Sequence, residues 1–398
     1  MLGAIYVGLS GLTAYSSGLK TISNNVGNLN STGFKATNVT FTDLFSHGNT
    51  GLAFSEGTDS ENSGNGVRVG KASIDFSQGD LRASNGDLDL GINGSGFFVL
   101  LNGEKTFYTR TGQFEVDKDG FISQQNTENR LGMLDAAGRV VPYNIAGKRT
   151  SAPDVTKTIT FADNLSSTAT EHTISDIAIY DSRGGKQVWT IKFTKSTAQS
   201  SNNEWTVTVT NSTQRTVAEK TLKFIGNVID PSSAKMVIEA QPAGANPLSV
   251  TLDFSGGVTS FSGGTTSTLR ASKVDGHGVG QLTTVTVNED GKVKLSYSNG
   301  QTETDAQVAL ADFRDPQELE KAGDGLFAFH GKGERRILAS GVDGVGKIVS
   351  KQIEASNVDL SAQFGDLILI QRGFQASSQV VSVANDMIQQ LFGIRGQG

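Results

Sequence analysis

The sequence predicts a mainly β protein with terminal α-helices. Two nested all-β domains are combined with a helical coiled-coil domain that is discontinuous in sequence, because it is built from both ends of the chain. Apolar residues recur at seven-residue intervals near each terminus, as in helices that supercoil around a partner. Alternating apolar and polar residues with Gly-containing turns fill the interior. A Thr- and Ser-rich segment interrupts that interior between two loop-like stretches.

The N-terminal helix is predicted over residues 2–30. Four glycines within it each lower helix stability by about 1 kcal/mol relative to Ala, so the helix is marginal on its own in water. Lys20 is the only charged residue of this segment, which favours burial among other helices or a neutral surface that faces a channel. The heptad positions are Ile5, Leu12, Leu19 and Val26.

The interior is predicted to contain a connector and two β domains. Residues 31–66 are rich in Ser, Thr, Asn and Gly and predict an extended connector that can include a hairpin. Residues 67–145 predict short strands, because apolar residues alternate and Asn-Gly or Asp-Gly pairs separate them. Residues 146–274 predict an outer β domain inserted into the first one, which resumes over 275–354.

The C-terminal helical segment is predicted over residues 355–398. A helix of roughly 28 residues spans about 42 Å, longer than a small β domain needs. The N-terminal helix is its natural first partner, but a pair of helices leaves most of each circumference uncovered. Copies from several chains would cover it, so the pattern indicates a self-assembling tube or fibre. The heptad positions are Leu360, Leu367, Phe374, Val381 and Ile388.

Bulk properties exclude several classes of protein. The formal net charge is -6, so no basic surface for nucleic acid or anionic membrane is expected. The chain has no cysteine, which excludes disulfides and thiol nucleophiles. We expect no membrane span, because no apolar run reaches 18 residues. We also expect no cleaved secretory leader, because no positive charge precedes the first apolar segment.

Motifs that would carry chemistry are weak. The segment 341–347, GVDGVGK, is followed by Ile348 where a P-loop needs Ser or Thr, so a Gly-rich turn is favoured. Segments 117–120 and 289–291 lack the spaced carboxylates of a calcium loop and predict hairpin turns. We therefore predict no catalytic, cofactor-binding or metal-binding residue, and no enzyme. The histidines show no metal-binding spacing: His47, His172, His277 and His330.

Four segments resemble motifs shared by the bacterial flagellar rod and hook proteins. They are SNNVGNLNSTGFKA (23–36), GDLDLGINGSGFFVL (86–100), FYTRTGQFEVDKDGFI (107–122) and EASNVDLSAQFGDLILIQRGFQASSQVV (354–381). The inserted domain, with ISDIAIYDSRGGKQVWTIKF at 174–193, resembles that of the hook members rather than the shorter distal rod members. The terminal motif residues are Asn24, Asn25, Asn28, Gly33, Phe34, Lys35, Ser356, Asn357, Val358, Asp359, Leu360, Gln371 and Arg372.

This resemblance implies a subunit of a curved tubular hook, a flexible universal joint that transmits torque from rod to filament. The terminal helices would form the inner tube. The resemblance also implies export in an unfolded state through the flagellar type III machinery, without a cleaved signal, to an extracellular site on the flagellum. Implied partners are further copies of the chain, the distal rod protein, the hook cap and the hook-filament junction protein. No cofactor, nucleic acid or membrane insertion is implied.

Three mechanistic expectations follow. The two heptad rows are expected to pack against each other within and between subunits. The Ser, Asn and Gln faces of the helices are expected to face the lumen, where a neutral wall would not retain charged unfolded cargo. Hinges for bending are expected in 31–66. The alternatives are a distal rod protein, or a secreted β-rich adhesin with terminal oligomerisation helices.

Overall fold

A computed structural model describes residues 2–44, 66–197, 203–241, 246–331 and 333–395. In these ranges the chain forms two long helices, α1 (Leu2–Gly27) and α2 (Leu360–Arg395), with β-strands between them in sequence. This mainly β architecture with a helix at either end confirms the predicted fold class. Most of the predicted connector, residues 45–65, lies outside the described residues, as do 396–398 at the end of the predicted C-terminal segment.

The chain divides into two compact units. The first contains Met1–Ala146, Val285–Lys294 and Thr304–Gly398, and the second contains Gly147–Thr284 and Leu295–Glu303. The second unit thus extends to Thr284 rather than to the expected 274, because Gly280 and Gln281 pair with Ser151 and Thr150.

The first unit begins with twelve short strands in the described ranges. In chain order they are β1 (Thr37–Asn38), β2 (Phe41–Asp43), β3 (Val67–Val69), β4 (Ser73–Ile74), β5 (Leu81–Ala83), β6 (Leu90–Asn93), β7 (Phe97–Asn102), β8 (Lys105–Thr109), β9 (Phe114–Val116), β10 (Ile122–Gln124), β11 (Arg130–Leu134) and β12 (Val140–Pro142). Asn-Gly and Asp-Gly pairs turn the chain between neighbouring strands. Gly103 between β7 and β8 has φ +58°, and Gly120 between β9 and β10 has φ +86°. These conformations suit Gly, which explains the turn signals in the sequence.

Most strands of the second unit form two sheets, and Thr150–Ser151 lies outside both. Its strands are β13 (Thr150–Ser151), β14 (Thr158–Ala162), β15 (Glu171–Tyr180), β16 (Lys186–Lys195), β17 (Glu204–Asn211), β18 (Thr216–Ile225), β19 (Val228–Ile229), β20 (Lys235–Ala240), β21 (Leu248–Asp253) and β22 (Arg270–Val274). One sheet has the order β15-β16-β17-β18-β19 and the other β20-β21-β14-β22. Side chains of both sheets share one core, in which Trp189 and Trp205 are buried and Phe161 stacks on Phe254 at 4.5 Å between ring centroids. Alternation along each strand supplies this core.

The border between the units falls within β23 (Gly280–Val287), β24 (Lys292–Tyr297) and β25 (Thr302–Val308). The first unit then continues with β26 (Leu310–Phe313), β27 (Leu319–Gly323), β28 (Leu326–Phe329), β29 (Arg335–Leu338), β30 (Lys347–Ser350) and β31 (Gln352–Glu354). Short 3₁₀ turns occupy Ala146–Lys148 and Pro316–Glu318. The core of this unit includes an aromatic cluster in which Tyr108 meets Phe313 edge-on at 4.8 Å. Late strands thus complete a core begun by early ones.

Both helices are shorter than predicted at their inner ends. The N-terminal helix ends at Gly27 rather than 30, because Asn28 starts a turn in which Ser31 N–H donates to the Asn28 carbonyl at 3.1 Å. The C-terminal helix starts at Leu360 rather than 355. Asp359 caps it, since its carboxylate accepts from Ser361 N–H at 2.8 Å. The preceding residues are extended and bond to other parts of the first unit.

Candidate assembly interface

The two terminal helices pack side by side in the first unit. The face of α1 that is buried repeats every three or four residues, as a helix face does. It is made mainly of small residues rather than heptad residues. Its buried members are Gly8, Gly11, Ala14, Gly18, Ile22 and Asn25.

Glycines set the distance between the helices. A Cβ atom at Gly8 would lie 2.7 Å from Val381 Cγ2, and one at Gly18 would lie 2.8 Å from Ile370 Cδ1. On the other helix, a Cβ at Gly373 would lie 2.5 Å from Tyr15 Cζ. Contacts this short are possible only without a Cβ. In the sequence these α1 glycines predict only a cost to helix stability when propensity alone is considered, although the small residues Gly8, Gly11, Ala14 and Gly18 recur every three or four residues, which is a readable signal of close helix packing.

The predicted heptad residues divide into two groups. Leu19, Leu360 and Phe374 are exposed on the surface of the helix pair. The others are half-buried: Ile5, Leu12, Val26, Leu367, Val381 and Ile388. The closest approaches therefore place a glycine against a side chain of the other helix, for example Gly11 against Ser377, a pairing that the heptad pattern did not predict.

A large apolar surface remains uncovered on the helix pair. Leu369 is 68% exposed and Tyr6 is 67% exposed. Single exposed apolar residues are ordinary on a protein surface, but this many large ones on two helices indicate a surface that contacts a partner. We call this set the outward apolar surface: Tyr6, Val7, Leu9, Leu19, Leu360, Phe364, Ile368, Leu369, Phe374, Val380, Val383 and Met387.

Asn25 fastens the end of α1 to the start of α2. Its side chain is buried, and its amide Nδ2 donates to Gln363 Oε1 and to the Thr37 carbonyl, each at 2.9 Å. Its Oδ1 accepts from Thr37 N–H at 3.0 Å. Because both ends of this amide are satisfied, a single residue fixes two chain segments against the helix. Sequence analysis named Asn25 as a motif residue but missed Gln363.

Asn357 does the same for the segment before α2. Its Oδ1 accepts from Ala36 N–H at 2.8 Å, and its Nδ2 donates to the Asp75 carbonyl at 2.8 Å. Its own N–H donates to the Phe34 carbonyl at 3.3 Å. The two terminal motifs that the sequence places at opposite ends of the chain therefore bond to each other.

A buried ion cluster lies beneath these contacts. Lys35 Nζ is 2.6 Å from Glu354 Oε1, and both side chains are fully buried. Arg110 Nε is 3.4 Å from Glu354 Oε2 and is also buried. Burial lowers the pKa of Lys35, and the neighbouring carboxylate of Glu354 opposes that effect. Burial lowers the pKa of Arg110 in the same way. Lys35 was singled out from the sequence, whereas Glu354 and Arg110 lie in the motif segments 354–381 and 107–122 without having been singled out.

The remaining motif residues have local roles. Asn28 Nδ2 donates to the Asn24 carbonyl at 2.9 Å. Gly33 has φ +65° and Phe34 lies beneath the Lys321 ammonium, 4.6 Å from the ring centroid. Val358 is buried, and its N–H donates to Ser356 Oγ at 3.4 Å. Gln371 and Arg372 are exposed on α2.

The weak chemical motifs fold as turns. GVDGVGK connects β29 to β30, with Gly341 N–H donating to the Gly346 carbonyl at 3.1 Å. Asp117 accepts from Phe121 N–H at 2.8 Å within the turn between β9 and β10. In the described ranges no group of three or more His, Cys, Asp or Glu side chains is placed to hold a metal ion. The helices described are too short or too polar to cross a membrane.

Four family models match successive parts of the chain. "Flagella basal body rod protein" matches residues 5–35 and "Flagellar hook protein FlgE/F/G D1 domain" matches 91–170. "Flagellar basal body protein FlaE D2 domain" matches 144–320, and "Flagellar basal body rod FlgEFG protein C-terminal" matches 349–394. The last match begins at β30 and covers the ion cluster residue Glu354 as well as α2.

Relatives match over nearly the full length. The flagellar hook protein FlgE of Treponema pallidum is 30% identical over 99% of this chain and 100% of that protein. The flagellar hook protein FlgE of Salmonella typhimurium is 28% identical over 97% of this chain and 98% of that protein. The crystal structure of Helicobacter pylori flagellar hook protein FlgE2 has a TM-score of 0.50 at 15% identity, covering 69% of this chain and 100% of that one, which is a likeness of fold.

Proposed function

The chain belongs to the flagellar hook protein family, and we propose that its two terminal helices carry the contacts by which its copies polymerise into the hook. It is a structural subunit of the flagellar hook. The near full-length likeness to hook proteins favours this role over a distal rod protein or an adhesin.

The outward apolar surface is the observation that carries the proposal. Burying one exposed Leu or Phe side chain contributes about 1.5–3 kcal/mol, and this surface contains several of them on each helix. Every copy presents the same surface, so a repeated contact between copies covers it and builds a polymer. Leu19, Leu360 and Phe374 would contact neighbouring copies. The half-buried heptad residues (Ile5, Leu12, Val26, Leu367, Val381 and Ile388) would line the seam.

Asn25 and Asn357, together called the clasp, make contacts within one chain, which leaves the exposed surface of the helices for contacts between chains. These residues fix the inner ends of both helices to the β body by hydrogen bonds within one chain. The helix pair can then contact neighbouring copies while the clasp transmits force to the strands of the first unit. Hinges for bending belong to the connector 31–66, of which residues 45–65 lie outside the described part. We place the neutral polar faces of the helices toward the lumen.

The proposed role is structural and carries no catalysis. The partners proposed besides further copies are the distal rod protein, the hook cap and the hook-filament junction protein. The type III export machinery would deliver the chain to an extracellular position on the flagellum. Each of these proposals rests on membership of the hook protein family and on the proposed self-assembly through the helices.

The test replaces exposed apolar residues on α2 by Ser. Leu369→Ser and Phe374→Ser should leave circular dichroism of the monomer unchanged, because both side chains are exposed in the single chain. The concentration needed for tube formation should rise by roughly 10- to 100-fold, which corresponds to the lost burial. Sedimentation and electron microscopy measure this.

Val237→Ser is the matched control, since Val237 is an exposed apolar residue on β20 of the second unit. It should assemble like the parent chain. Tubes formed by the α2 variants at the parental concentration would refute the proposal. Small closed oligomers from the parent chain, in place of long tubes, would favour the adhesin alternative.

A further inference from the structure

The buried cluster of Lys35, Arg110 and Glu354 contains two cations and one carboxylate. Lys35 Nζ donates to Glu354 Oε1 at 2.6 Å and to the Ser77 carbonyl at 2.5 Å. Arg110 Nη2 donates to the Gly94 carbonyl at 2.7 Å, and its Nε faces Glu354 Oε2 at 3.4 Å. All three side chains are at most 3% exposed. Glu354 is thus the carboxylate that pairs directly with both buried cations, whereas Asp75 attracts Lys35 more weakly and from farther away.

The two cations and the carboxylate come from opposite ends of the sequence. Lys35 and Arg110 lie in the first third of the chain, whereas Glu354 is residue 354 of 398. Because the chain is synthesised from its N-terminus, both cations precede Glu354 by more than 200 residues. An uncompensated buried charge is strongly unfavourable, and two in one site are worse.

Hydrogen bonds around Glu354 also join this late segment to early parts of the chain. The Glu354 carbonyl accepts from Gly33 N–H at 2.7 Å, and its Oε1 accepts from Gly79 N–H at 2.8 Å. The strand that ends at Glu354, β31, pairs with β5. Ala355 N–H donates to the Asp80 carbonyl at 2.8 Å. Without the segment 352–357, the N-terminal motif and the early strands lose both hydrogen-bond partners and charge compensation.

We propose that Glu354 is a latch: the first unit stays open until the C-terminal segment docks and Glu354 pairs with Lys35 and Arg110. Electrostatic repulsion between Lys35 and Arg110 keeps the early strands from closing around them. Arrival of Glu354 neutralises the site, and the first unit and the inner ends of both helices become ordered together. The second unit has its own core and does not depend on this step. The latch does not rest on polymerisation, so it can fail while the proposed function stands.

Native-state hydrogen exchange on the full-length soluble monomer tests the latch. Amides of β7 and β8 should share one opening equilibrium with residues 352–357, because these segments open together. Protection of β7 and β8 that exceeds that of 352–357 by 100-fold would overturn the proposal, since the early strands would then be closed without Glu354.

Two variants separate a latch from an ordinary contact. Glu354→Gln should lower protection of β7 and β8 by roughly 100-fold or more, with β16 and β17 unchanged. Adding Lys35→Met to Glu354→Gln should restore protection by about 10-fold, because one uncompensated cation is removed. A simple loss of hydrogen bonds predicts a further decrease, so a decrease would refute the latch. The control Glu171→Gln breaks an exposed 2.7 Å pair with Lys192 and should leave the first unit unaffected.

Discussion

Two glycines of α2 provide a sharp test of how closely the helices pack. A Cβ at Gly373 would lie 2.5–2.9 Å from three ring atoms of Tyr15, whereas a Cβ at Gly365 would meet nothing within 4 Å. The Tyr15 ring cannot move aside freely, because it also packs on Phe41 with ring centroids 5.4 Å apart. The same substitution eight residues apart on one helix should therefore have different effects on stability.

The magnitudes follow from two opposing terms. Gly→Ala within a helix contributes about 1 kcal/mol through helix propensity at either position. Overpacking against Tyr15 costs about 1–3 kcal/mol at Gly373 only. Gly365→Ala should therefore be stabilising by ~1 kcal/mol. Gly373→Ala should be neutral or destabilising, with a difference of ~1–3 kcal/mol between the two variants.

Urea denaturation of the full-length monomer, followed by circular dichroism at 222 nm, measures this difference. A difference of 2 kcal/mol shifts the midpoint by roughly 1 M when the denaturant slope is about 2 kcal/mol/M. Tyr15→Leu should remove the clash, so Gly373→Ala in that background should become stabilising. Equal midpoints for Gly365→Ala and Gly373→Ala would refute the close approach of the helices.

Two further predictions concern Gly33, whose N–H bonds to the Glu354 carbonyl, and Lys35 of the ion cluster. Gly33→Ala should destabilise the chain by more than the ~1–3 kcal/mol expected of backbone strain alone, because its Cβ would lie 2.6 Å from Thr111 N. Gly226→Ala, with φ +64° and open space around it, is the control that measures strain alone by thermal unfolding. For Lys35, the lowered pKa means that the unfolded chain binds more protons between that pKa and 10.5. Stability should rise with pH across that window. Lys35→Met should reduce this slope and leave the part due to Lys321, whose pKa is also lowered by burial, and denaturation at several pH values measures the difference.

Local patterns explain what sequence analysis predicted. The heptads located both helices, and the Asn-Gly and Asp-Gly pairs located turns between strands. Asp359 was a readable helix cap, but the analysis extended α2 back to residue 355. These features depend on a few adjacent residues, so the sequence expresses them directly.

Long-range polar contacts could not be predicted in this way. Lys35 and Glu354 are 319 residues apart, and Asn25 and Gln363 are 338 residues apart. No local pattern indicates that a lone Lys or Asn is buried, since such residues are usually exposed. The partners of these residues depend on the path of the whole chain. The family resemblance marked Lys35 and Asn25 as important but did not indicate their roles.

The buried face of α1 that contains Gly8, Gly11 and Gly18 and the outward apolar surface have one physical cause. Helices that pack through Gly8, Gly18 and Gly373 come so close that little room remains between them for large side chains. The seven-residue repeat nevertheless supplies large apolar residues on each helix, and those at Leu360 and Phe374 stay exposed to water. If the helices contacted only each other, these apolar side chains would stay exposed to water, which is unfavourable. Close pairing within a chain therefore leaves apolar surface for contact between chains, which explains why one sequence carries both glycines and heptads.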